Sequence, residues 1–300
     1  MELYVFRGAS PNFGDELNPW LWPRLLGDVF DGAGDLFIGI GSTIQSGFNP
    51  SRRKVVFGAG YGGYTATPVL DASWAIYFVR GKLSARKLGL AQDKALGDAA
   101  ILIRSLNIQR QAVPGRVSFM PHWESVWPGR WEDACRLAGV QFIDPTAPVD
   151  TVLEAITGSE LLLTEAMHGA IVADALRTPW VAAAPAQQHR MKWNDWASAL
   201  DLRIEWDTLP RSSLLEQALH LAPRGSRLAG QLSARRRATA TLRDHTPGWW
   251  IERAAQHLRR LADNARPSLS RDTVLNSVHA RMLDQLETFV RHEGRGRVLV

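Results

Sequence analysis

Short apolar runs alternate with stretches of helical periodicity from the first residues onward, the pattern of parallel strands covered by helices. Strands are expected at Glu2–Phe6, Asp35–Ile40, Lys54–Gly58, Trp74–Val79 and Ala100–Ile103, with helices at Glu16–Leu26 and Gly81–Leu88 between them. The polar stretch Gln109 to Val113 runs into a Pro114-Gly115 breaker, after which Arg116–Met120 begins a fresh strand. The scheme then repeats as helix Trp131–Ala138, strand Val140–Ile143, helix Val149–Ile156, strand Glu160–Leu163, helix Ala170–Leu176 and strand Trp180–Ala183. The expected fold class is therefore α/β, with two Rossmann-like domains over residues 1–114 and 115–210 facing a cleft, and a helical tail over 211–300.

In that tail, strands cease from about Ser212, and Pro223, Pro247 and Pro267 punctuate the helical segments. The last segment, Asp272 to Arg291, sets Val274, Val278, Met282, Leu283, Leu286, Phe289 and Val290 along one face. Two uses of that face are open: packing against the domains or a partner chain, or lying on a membrane surface.

Charge sharpens the division. From Pro223 to Val300 there are 15 Arg against seven acids, so the tail carries a surplus of +8 within a net charge of +5. Arginine far outnumbers lysine; the five lysines are Lys54, Lys82, Lys87, Lys94 and Lys192. The basic residues of the tail do not interleave with aromatics, which argues against nucleic acid as a partner. The longest apolar stretches, such as Leu161 to Leu163, fall far short of the roughly 20 residues that span a bilayer. Met1 to Val5 reads as a strand rather than a secretory leader, so a cytoplasmic location is expected. The single cysteine, Cys135, has no ligand-spaced partner and reads as a buried thiol.

Open parallel sheets bind ligands beyond the carboxyl ends of their strands, so the turns after the strands are where chemistry is expected. After the first strand come Asn12-Phe13-Gly14-Asp15-Glu16-Leu17-Asn18, in which Asp15 suits both a helix N-cap and a general base. Gly39-Ile40-Gly41-Ser42-Thr43 and Gly58-Ala59-Gly60-Tyr61-Gly62-Gly63 offer bare backbone N–H groups to an anion, yet neither completes a dinucleotide fingerprint or a P-loop. Arg80 ends the fourth strand, where a guanidinium suits carboxylate or phosphate, an ordinary salt bridge being the plainer alternative. In the second half, one strand runs into Met120-Pro121-His122-Trp123-Glu124 and another into Thr164-Glu165-Ala166-Met167-His168-Gly169-Ala170. A helix starting near His168 directs free N–H groups at a bound phosphate while the imidazole donates a bond or a proton. Gln188-His189-Arg190-Met191-Lys192-Trp193-Asn194-Asp195-Trp196 adds three candidate cations.

Taken in order, Asn12 to Asn18, Gly58-Ala59-Gly60, Val79-Arg80-Gly81, Leu96-Gly97-Asp98-Ala99-Ala100, Met120-Pro121-His122, Glu165 to Ala170 and Lys192 to Trp196 resemble the polysaccharide pyruvyl transferase family, especially its succinoglycan-like and xanthan-like branch. The resemblance spans most of Met1 to about Trp206. It implies a fold similar to the B-type glycosyltransferases, phosphoenolpyruvate as donor and co-substrate, a lipid-linked oligosaccharide as acceptor, and neither cofactor nor metal. The first domain then takes the acceptor side and the second the donor side. Many members carry an Arg two residues before the motif His where this chain has Ala166, which shifts donor-anion binding onto Arg80, Lys192 or Arg190, with His122 and Gly169 beside them. His168 or Glu165 is the expected acid and Asp15 the base toward the acceptor; Asn12, Trp20 and Trp123, with Trp22 and Trp127, are candidate sugar contacts. The basic tail would hold such an enzyme at the cytoplasmic face of an anionic inner membrane. Two rival readings remain: a nucleotide-sugar glycosyltransferase on the same architecture, and a non-catalytic assembly subunit. Intact Glu165 and His168 argue against the latter.

Overall fold

Four strands form the first sheet in the order β1-β2-β3-β4, all parallel: β1 (Glu2–Leu3), β2 (Leu36–Ile38), β3 (Lys54–Phe57) and β4 (Trp74–Phe78). The computed structural model describes residues 1–184, 190–222, 236–294 and 298–299. Every position of β2 and β3 is buried, as strands covered on both faces require. Helix α1 (Phe13–Leu26) follows β1, and α2 (Lys82–Lys87) follows β4. Asn18 ties α1 to the end of β2: its amide donates to Ile40 O (3.1 Å) and accepts from Ile40 N (2.8 Å) and Trp22 Nε1 (3.1 Å).

The second sheet is also parallel but has the order β6-β5-β7-β8-β9, from β5 (Val117–Met120), β6 (Gln141–Phe142), β7 (Leu161–Thr164), β8 (Trp180–Ala184) and β9 (Trp206–Thr208). The chain steps from β5 outward to β6, then returns to the other side of β5 as β7. Neighbouring turns diverge at such a reversal and open a crevice at the carboxyl ends, here between β5 and β7. The helices of this half are α3 (Trp123–Val126), α4 (Trp131–Ala138), α5 (Val149–Thr157), α6 (Met167–Ala175) and α7 (Arg190–Ala199). Strand β9 lies outside the expected elements; three residues with Asp207 in the middle carry no apolar period, and pairing with β8 creates it.

One expected strand is corrected. Ala99–Leu106 is a 3-10 helix, not a strand over Ala100–Ile103. Ala99 through Ile103 are all buried, and an apolar run covered on every side has no polar face from which a period can be read.

The tail contributes α8 (Leu214–Leu221), α9 (Arg236–Asp244), α10 (Gly248–Asn264) and α11 (Asp272–Glu293), while Pro223 lies outside the described residues. Helix α10 buries Ile251, Ala254, Ala255, Leu258 and Leu261 in a cluster with Phe119, Trp131, Leu163 and Val181 of the second half. Helix α11 returns to the first sheet, where Phe289 meets Phe37, Phe57 and Tyr77 edge-on at 5.5–5.9 Å. Leu275, Val278, Met282, Leu286 and Phe289 are buried, each adding roughly 1.5–3 kcal/mol. The apolar face of α11 is thus spent on the core, which corrects the membrane-lying alternative for this helix. No helix among the described residues is long and apolar enough to cross a membrane.

Candidate functional site

His168 sits in the first turn of α6, directly after β7, and its ring rests on the backbone of Gly14 in the first turn of α1. A Cβ at Gly14 would overlap Nδ1, so only glycine lets the two helix starts meet this closely. The side chain is 12% exposed and its Nε2 lies 3.6 Å from Asp98 Oδ2, within a fully buried carboxylate. Asp98 uses its other oxygen to cap the 3-10 helix, accepting from Ala100 N at 3.0 Å. Asp15 follows Gly14, and the Asn12 amide donates to its Oδ2 at 2.8 Å. Burial raises the Asp15 pKa, against the pull of Asn12, His168 and Lys192. The N-cap of α1 is Asn12 rather than Asp15, and the charges of His168 and Lys192 act on the Asp15 carboxylate.

Lys192, from the first turn of α7, completes the cluster. Its ammonium forms no hydrogen bond with the described residues, and burial and the Arg80 charge depress its pKa while Glu124 and Asp15 oppose them. His122, at the end of β5, caps α3 and is held neutral, its pKa pushed well down by burial and by Lys192. It therefore offers a hydrogen bond to an anion but no charge. Asp15, His168, Lys192 and His122 are thus assembled from both halves, the latter three from turns after β5, β7 and β8.

Glu165 is placed beneath the turn after β5. It is completely buried and receives His122 N at 2.9 Å and the Ser125 hydroxyl, so it braces the turn that carries His122 and Trp123 rather than facing the cleft. Burial and the nearby Glu216 push its pKa up to about 8. The folded state alone therefore holds a proton between the ordinary value of 4.5 and about 8, and stability falls as pH rises through that interval. Glu165→Gln removes this slope, so its unfolding midpoint should gain on the wild type from pH 5 to 8; parallel pH curves would show an ionised Glu165 in the fold.

Arg80 is engaged in an ion pair. Both it and Asp195 of α7 are fully buried, paired Nε to Oδ2 at 3.0 Å, and Arg80 NH1 donates to Ser42 Oγ at 2.7 Å. Asp195 also accepts from Ser84 N (2.9 Å) and Ser84 Oγ (2.5 Å) in α2. A Cβ at Gly81 would overlap the Asp195 carbonyl, so α2 and α7 touch at backbone distance. This clamp joins the halves and seats Lys192 one turn away.

The remaining candidates divide. Arg190 is exposed and its guanidinium stacks on Trp206 at 5.1 Å, away from the cluster; Gln188 and His189 lie outside the described residues. Trp20 donates its indole N–H to Asp150 (3.0 Å) and is covered by Arg24, and Trp22 is buried in the core, so neither is a sugar platform. Arg243 covers Trp127 at 4.5 Å. Gly169 is buried against Met120 and Thr164 beneath the turn. Trp123 and Asn12 lie near Asp15: the Trp123 ring approaches Gly8, in a loop that walls a depression of about 200 Å³ with Asn12 and Asp15.

No family model matches the chain. Succinoglycan biosynthesis protein ExoV of Rhizobium meliloti (strain 1021) is 36% identical over 223 residues, covering 72% of this chain and 70% of that protein. The chain belongs to the succinoglycan-like polysaccharide pyruvyl transferases. As a member it is an enzyme, and the case against a non-catalytic subunit no longer needs Glu165, whose retention the β5 turn explains by itself. What sequence reasoning missed in this transferase is Asp98: it stood within a family motif, but its meeting with His168 is made by contact across 70 positions of chain.

Proposed function

We propose that the enzyme moves pyruvate from phosphoenolpyruvate onto two hydroxyls of one sugar in a lipid-linked exopolysaccharide precursor, forming a cyclic ketal and releasing phosphate. The observation that carries this reading is the convergence of an imidazole, a carboxylate and a lysine that has no hydrogen-bond partner among the described residues. A donor bearing both carboxylate and phosphate needs preorganised positive charge. Lys192 supplies the cation, the first turn of α6 supplies N–H groups, and neutral His122 adds a hydrogen bond. His168 protonates the donor methylene carbon to a methyl group, while Asp15 accepts the proton of the attacking sugar hydroxyl, which bonds to the central carbon. The second hydroxyl then bonds to the same carbon as its bond to phosphate oxygen breaks, and its proton leaves with the phosphate. Trp123 and the loop from Gly8 to Asn12 hold the acceptor sugar beside Asp15. With the α11 face occupied, attachment to an anionic inner membrane rests on the charge of the tail.

Incubation with phosphoenolpyruvate and lipid-linked oligosaccharides tests the proposal, by phosphate release matched to a pyruvyl gain in acceptor mass. Saturable binding of UDP-sugars with no response to phosphoenolpyruvate would replace it with glycosyl transfer. Lys192→Ala should weaken donor binding by roughly 1.5–3 kcal/mol, the worth of one charge-assisted contact, read by calorimetry. An unchanged dissociation constant would move the donor elsewhere.

A further inference from the structure

The proposed chemistry places a proton on His168, and the surroundings of its ring bear on which nitrogen handles it. His168 Nε2 and Asp98 Oδ2 are both buried polar atoms without a hydrogen-bond partner, and they face each other at 3.6 Å. Two such orphans each cost free energy unless they serve one another. The gap is slightly longer than a hydrogen bond, as dyads often are before substrate closes them. Asp98 itself is held rigidly, since its other oxygen caps the 3-10 helix and its neighbours Ala99 to Ile103 are buried. On the opposite edge, Nδ1 lies against Gly14 beside Asp15. The charged groups that face the ring are thus Asp98 from the 3-10 helix and Asp15 from α1, with Lys192 of α7 beyond Asp15.

We propose that Asp98 is the positioning residue for His168, accepting its Nε2–H so that Nδ1 is the nitrogen that exchanges a proton with the substrate. The carboxylate sets the tautomer and ring orientation and supports the imidazolium, as a buried aspartate does for a catalytic histidine elsewhere. Asp98 touches no substrate. Its effect passes wholly through His168, and this assignment rests on the reading of His168 as the proton donor.

The tautomer can be read in the resting enzyme without any reaction. In ¹⁵N-histidine-labelled protein, with a folded His168→Gln variant identifying the resonance, the neutral ring should carry its proton on Nε2; a proton on Nδ1 overturns the inference even if Asp98→Asn does not fold. In parallel, Asp98→Asn keeps an oxygen to cap Ala100 but presents an amide to Nε2. Turnover with phosphoenolpyruvate should drop about 100-fold or more, with donor affinity within threefold of wild type and the pH profile displaced. Wild-type turnover and pH profile in Asp98→Asn would likewise overturn it. The two levels of failure separate: an active His168→Ala enzyme rejects the proposed mechanism, whereas an inactive His168→Ala beside a fully active Asp98→Asn rejects only this assignment.

Discussion

Replacing His168 with alanine is expected to lower turnover by about 10²–10⁴-fold, the usual worth of a positioned general acid, while the thermal midpoint moves by only a few degrees. Both halves of that expectation come from where the ring sits. It rests against the backbone of Gly14 at the rim of the cleft, with Asp15 beside it, rather than among the packed side chains of Met167, Ala170 and Ile171 that anchor α6 to the core. Truncation therefore removes a proton donor more than it removes packing. Phosphate release and calorimetric donor binding are the pair of measurements to make. A loss of turnover with donor affinity nearly kept assigns His168 to the chemical step. Wild-type turnover in the variant would remove it from the mechanism.

The alternation of strands and helices was legible because buried parallel strands and half-buried helices have different periods, and Asp15, His122 and His168 do stand just after β1, β5 and β7. What the pattern could not carry was partnership across the chain. Arg80 at the end of a strand and Asp195 on a helix are 115 positions apart, and each alone reads as a cleft or surface charge. Only folding reveals that they neutralise one another. Glu165 was hidden for the same reason: a carboxylate three residues before a site histidine reads as catalytic, and its bonds to His122 N and Ser125, some 40 positions away, do not show in the sequence. The tryptophans divided on burial, which composition does not report; Trp123 is half-buried beside Gly8 while Trp22 went to the core. The strand expected at Ala100–Ile103 and the overlooked β9 are complementary errors, one apolar on every side and the other too short, with Trp206 alone on the core, to show a period.

That buried pair gives the largest expected effect on stability. Arg80 and Asp195 are both fully buried, so removing either leaves a charge with no counter-ion and little access to water, at a cost of about 3–5 kcal/mol. Asp195→Ala also strands Ser84 N and its hydroxyl, and Arg80→Ala leaves Ser42 without its donor. Chemical unfolding of each single variant should show a loss of that size. The double variant should lose clearly less than the two losses added, because neither charge is then left alone. The functional consequence follows from the position of the clamp. Asp195 and Lys192 share a face of α7 one turn apart, and the clamp fixes that helix to α2 of the first half. Weakening the clamp loosens the placement of Lys192, so a folded Arg80→Lys enzyme should show weaker donor binding through the loss of the Arg80–Asp195 pair. If single and double variants unfolded like the wild type, the pair would contribute nothing to holding the halves together. If Arg80→Lys kept full stability yet lost donor affinity, Arg80 would act at the donor site directly.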